Sequence, residues 1–281
     1  MDPIIGRYDH PVRFYALATA IPWVLWLGAA YLSHLPTQSG AVAAWTAVLG
    51  ITGLAAPALA AAWLVRNQPL VLADLRRRLF WPSGVGKSYL VCALGLLLAS
   101  VLSATAISLL FGYSVDQFQF RGGFSFTSGL VPVWVILVLA PVLEELAWHS
   151  YGTDALVTRM RVFTASLVFV PIWTLWHAPL SFIRGYYQSE IVASGWLHAL
   201  NFPLSLIPFV VLMNWLYYRT GRSITVAIVF HLTAGFANEI FRTHPDTKLI
   251  QTAVLLVVAI VVVLTNRDLF FASPRVPRRP R

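Results

Sequence analysis

The chain has 281 residues, of which 58% are hydrophobic and only 11% charged, with a formal net charge of +9. Soluble domains carry about 25% charged residues, so a water-facing fold cannot hide this much apolar surface and lipid must be the solvent. The positive charge sits at the ends of apolar runs and forms no basic–aromatic groove, which excludes nucleic acid as a partner and points to the bilayer.

Runs of about 20 apolar residues cross a bilayer, and eight follow in order: 14–33, 41–65, 88–111, 130–151, 162–182, 200–218, 223–241 and 249–265. The expected fold is an all-α integral membrane bundle of about eight helices, one membrane domain over 1–281 with no linker. The first run is too long for a signal-peptide core and reads as an uncleaved span. Cys92, the single cysteine, lies in the third and is expected to be a small packed hydrophobe, with no internal disulfide or cysteine-based metal site available. Between the second and third runs, 70–81 alternates apolar and basic residues and is expected to lie along the inner membrane surface, with a solvated loop as the competing reading. The fourth run is interrupted by Glu144 and Glu145. The sixth carries Pro203 and Pro208, which predict a kinked or broken start. The tail 273–281 is rich in Arg and Pro and is expected to be disordered and drawn to anionic headgroups. Trp81, Trp134, Trp196, Tyr217 and Tyr218 fall at span ends and read as an interfacial belt.

With the N-terminus placed inside and the spans alternating, sixteen of the 20 Lys and Arg residues fall on the cytoplasmic side. Arg121, Arg184, Arg242 and Lys248 fall on the other. This bias predicts a multi-pass cell-membrane protein with both termini cytoplasmic.

Ionisable groups within spans carry the functional signal, because a charge at the bilayer centre costs about 2.5–3.5 kcal/mol on insertion scales. On a helix Glu145 and His149 share a face, whereas Glu144 points about 100° away. The two carboxylates can therefore take different partners, one in a wet cleft and one on a neighbouring helix. His177 and His231 lie in the fifth and seventh spans and can reach the same depth, provided the seventh helix is displaced or begins before Ser223. Glu with His suits water activation, a proton relay, or a buried ion pair that locks helices. No HExxH box, GxSxG elbow or paired aspartates occur, and no internal repeat is visible, which weighs against a repeat-built transporter. His10, His34, His198 and His244 fall near span edges, away from the predicted site, and read as interfacial.

These residues resemble a known family. EELAWHSYG, from Glu144 to Gly152, is similar to the EExxxR motif of the CAAX-protease and bacteriocin-processing (CPBP, or Abi) family. WTLWH, ending at His177, resembles its FxxxH motif with Trp173 in place of Phe, and the stretch from His231 resembles HxxxN or HxxxD. The likeness covers 130–241. It implies an eight-helix intramembrane endopeptidase of the glutamate type, acting on a protein or peptide substrate at the membrane, within or near the inner leaflet. It further implies Glu144 as general base, His177 and His231 as holders of the water and the oxyanion, and Glu145 as an orienting group. No cofactor is implied, and a metal on two His and one Glu stays open. Two positions depart from the pattern: His149 stands where the family has Arg, and Gly235 where it has Asn or Asp, with Asn238 on the same face about 10 Å along the axis. They leave a second reading, a non-catalytic binding or immunity factor on the same fold.

Overall fold

The computed structural model describes residues 3–80, 85–127 and 129–273. Trp81 and all of the basic tail except Ser273 lie outside the described residues. In chain order the helices are α1 (Pro11–Ser33), α2 (Gly40–Val65), α3 (Pro69–Phe80), α4 (Lys87–Ser108), α5 (Val133–Ala147), α6 (Thr153–Val157), α7 (Val162–His177), α8 (Tyr187–Ala193), α9 (Trp196–Arg219), α10 (Ile224–Ile240), α11 (Pro245–Thr265) and α12 (Arg267–Phe270). Among the described residues seven helical stretches are long and apolar enough to cross a membrane, and α10 is a shorter apolar one. The protein is a multi-pass helical membrane protein, with no strands among the described residues.

Local chemistry sets the helix ends. The Ser39 and Ser223 hydroxyls accept from Val42 N–H at 3.3 Å and Val226 N–H at 3.2 Å, capping α2 and α10. Pro11 and Pro245 occupy first-turn positions, where a missing N–H costs nothing. Helices α1 and α2 pair, α9 packs on α7 and α11, and α10 packs on α4 and α5. The α1–α2 approach is close enough that the Trp26 indole donates to Gly50 O at 3.0 Å, and a Cβ at Gly53 would collide with the same ring. Cys92 is partly buried and packs against the core.

Three details differ from the sequence reading. Pro203 and Pro208 lie inside a continuous α9. The chain breaks earlier, at Gly195, whose φ of 121° only glycine adopts readily. Residues 70–80 are helical, within α3, which buries Asp74 and Arg78 with Val71 and leaves the apolar Leu70 and Phe80 exposed. Tyr217 is fully buried and so is no belt residue, whereas Trp134 and Trp196 are 58% and 77% exposed.

The fourth span runs without a gap from Val133 to Val157. It contains a π-helical turn at Trp148–Gly152, immediately after the two glutamates. Such a turn widens the backbone ladder and often marks a functional site. Here the Arg78 guanidinium donates to His149 O at 3.1 Å and Ser150 O at 3.0 Å. The Tyr217 hydroxyl lies 2.8 Å from His149 O and also bonds to Arg78. Arg78 is held by Asp74 at 2.9 Å, and Arg222 bridges Asp74 at 3.1 Å to Asp154 at 2.5 Å. Burial alone would push the Asp74 carboxyl up, but the Arg78 and Arg222 guanidinia outweigh it and hold the group below the usual carboxylate range.

Candidate active site

Glu144 and Glu145 leave α5 on different faces, as their spacing requires. Glu144 is 5% exposed and lines a cavity of about 520 Å³ between the helices. Its Oε2 accepts from Trp173 Nε1–H at 2.8 Å. Glu145 is fully buried behind the cavity wall and holds two imidazoles. Its Oε1 lies 2.7 Å from His231 Nδ1, and its Oε2 bonds to His149 Nδ1.

The two cavity histidines are oriented by their Nδ1 atoms. His177 Nδ1 lies 2.8 Å from Trp173 O. A carbonyl only accepts, so Nδ1 carries the hydrogen and Nε2 is the free ring nitrogen. His231 donates in the same way to Glu145, which also leaves Nε2 free. Both rings line the cavity. Trp173 connects the constellation, with its ring 5.7 Å from His177 and 5.4 Å from His231 while its N–H reaches Glu144. Trp176 and Phe202 wall His177 edge to face at 4.7 and 5.2 Å, and Phe209 does the same for His231 at 5.4 Å. Glu144, His177 and His231 thus share one cavity, although α10 starts only at Ile224.

His149 stands outside the cavity and is fully buried. Its Nε2 lies 2.9 Å from Asn214 Oδ1, and Asn214 Nδ2 donates to Ser166 Oγ at 2.8 Å. The Ser166 hydroxyl itself donates to Val162 O at 2.9 Å, so it can only accept from the amide. That fixes Oδ1 toward His149 and makes Nε2–H the donor. His149 therefore turns its other nitrogen to Glu145, completing a chain from Ser166 to His231. Gly235 lines the cavity where α10 meets α5, and a Cβ there would come within 3.3 Å of Leu137 Cδ2. A larger side chain needs Leu137 to give way. Asn238 lines the cavity further along α10. Among the described residues no group of three His, Cys, Asp or Glu side chains is arranged to hold a metal ion.

The sequence reading missed Asn214, the donor role of Trp173, and His198, which lines the cavity mouth and bonds to Asp246 at 2.9 Å instead of standing apart. A buried amide within an apolar run was the available signal for Asn214. The exposed Thr127, Glu190 and Ser194 mark where the cavity opens.

Fold and site define a multi-pass membrane protein with an acid–imidazole cavity between its late helices. Residues 126–237 match the family described as type II CAAX prenyl endopeptidase Rce1-like. CAAX prenyl protease 2 of Methanococcus maripaludis is 35% identical over 272 residues, spanning 95% of this chain and 98% of that protein. The chain belongs to this CAAX-type family of membrane endopeptidases.

Proposed function

We propose that the protein hydrolyses a peptide bond near the C-terminus of a lipidated, membrane-associated chain, using water activated by Glu144. The substrate class follows the printed name of the Methanococcus relative; a C-a-a-X motif is a C-terminal tetrapeptide whose cysteine is prenylated. The observation that carries the mechanism is that Glu144, His177 and His231 line one cavity, each fixed by a hydrogen bond through an atom turned away from it or along its wall. In this mechanism Glu144 removes a proton from water as the oxygen attacks the scissile carbonyl carbon. His177 Nε2 accepts the second water hydrogen and aims the lone pair. His231, ion-paired with Glu145, acts as the imidazolium whose Nε2–H meets the oxyanion. The C–N bond then breaks, and Glu144 returns its proton to the leaving amine.

On the charge bias, the cavity mouth is read as facing the side opposite the termini. Arg121, Arg184, Arg242 and Lys248 belong to that face, and Arg121 and Lys248 line the cavity itself. That orientation would move the scissile bond from the inner leaflet toward the outer face. The charge distribution favours entry from the outer face.

The test uses purified protein in liposomes with a peptide ending in a prenylated C-a-a-X sequence, followed by mass spectrometry. Cleavage by the parent protein and its loss in His177→Ala and His231→Ala are expected. Full turnover by both variants would reject the assignment and favour the binding-factor reading.

A further inference from the structure

Arg121 is the unused cation of the cavity. It lies in the loop between α4 and α5, lines the cavity wall, and has a buried Nε with no acceptor among the described residues. No carboxylate pairs with its guanidinium among the described residues, since Glu239 is occupied by the Ser125 N–H and hydroxyl, both at 2.7 Å. Lys248, the other cation on the wall, stands over the Tyr187 ring at 5.4 Å.

The loop that carries Arg121 is tied down. Arg121 N–H donates to Ile240 O at 3.0 Å, and Arg242 N–H to Gln119 O at 3.0 Å. The Phe120 and Phe241 rings stack at 5.7 Å, and Thr127 N–H reaches Gly185 O at 2.9 Å. Helix α10 therefore serves as a ruler. His231 and Ile240 are nine residues apart, which puts the Arg121 backbone roughly 13 Å beyond the imidazole along the axis. Three extended residues span at most about 10–11 Å, and the arginine side chain covers the remainder.

We propose that Arg121 receives the free C-terminal carboxylate of the substrate, so that cleavage is confined to bonds within about three residues of a chain end. This rests on the peptidase reading of Glu144. The planar guanidinium on the cavity wall suits a carboxylate. Arg121 is a specificity residue and takes no part in the bond-breaking step.

The experiment compares lipidated peptides with a free acid, a C-terminal amide or a three-residue extension, using parent protein, Arg121→Ala, Arg121→Lys and Lys248→Ala. The parent protein should favour the free acid by about 10–100-fold in kcat/KM. Arg121→Ala should lose that preference through KM, leave kcat and turnover of the amide near parental values, and be partly rescued in Arg121→Lys. Lys248→Ala should keep the preference. Equal parental turnover of acid and amide, an equal loss on both in Arg121→Ala, or loss of discrimination in Lys248→Ala alone would overturn the proposal. Glu144→Gln should abolish cleavage of every peptide, so failure of the peptidase reading shows separately.

Discussion

Trp173 does what phenylalanine at the same position cannot: its ring contacts both cavity histidines while its N–H holds Glu144. Trp173→Phe keeps most of the ring and deletes the donor. A hydrogen bond to a charged group is worth about 1.5–3 kcal/mol, so kcat should fall about 10–100-fold with the fold intact. Unchanged kcat would show that this bond does not organise the carboxylate. Asn214 has a structural role one step further out. Asn214→Leu leaves the buried His149 Nε2–H without an acceptor and should cost about 1–3 kcal/mol of stability, read as a lower unfolding midpoint in micelles. An unshifted midpoint would contradict the hydrogen-bond order from Ser166 to His149. Glu144, Glu145, His177 and His231 were legible in the sequence because each is costly in lipid on its own. Asn214 and Trp173 were not, because their roles depend on partners 65 and 29 residues away.

At the scale of elements, the same limit separates the spans from the device that holds the fourth one. Run length located the seven helical stretches long enough to cross a membrane and the shorter apolar α10 among the described residues, since each must be apolar by itself. The π turn and its cradle of Arg78, Tyr217, Asp74, Asp154 and Arg222 join α3, α6 and α9 to the start of α10, and no local pattern encodes such pairings. The three arginines of 70–81 read as a surface stripe, whereas one of them, Arg78, is 2% exposed. Because Asp74 is held below the usual carboxylate range, its contribution to stability is fully present above its unfolded value of about 3.9. It is lost as the pH falls further and the folded-state carboxyl takes up its proton. Thermal unfolding should therefore show an acid-sensitive component below about pH 4 that Asp74→Asn removes, together with a lower midpoint at pH 7. An identical pH profile in the variant would show that this carboxylate does not support the turn.

For the whole molecule, orientation decides which compartment supplies the substrate. With Arg78 and Arg222 discounted as buried ion-pair partners, an alternating eight-span topology would still put most of the remaining basic residues on the side of the termini. A cysteine placed at the exposed Gly123, in a Cys92→Ala background, should react with a membrane-impermeant maleimide added to intact cells. Protection in intact cells with labelling only after lysis would reverse the topology and put the cavity mouth in the cytoplasm. The loop around Gly123 also carries Arg121, so the same side would then meet the chain end.

Everything chemical in this picture depends on the Glu144 carboxylate taking a proton from water. Steady-state turnover of one lipidated peptide by parent protein and Glu144→Gln, at matched folded concentration in the same liposomes, addresses that step alone. Removal of a general base lowers the rate by about 10²–10⁴-fold, and a loss of that size in kcat is expected, with binding retained. Parental kcat in Glu144→Gln would show that another group activates the water.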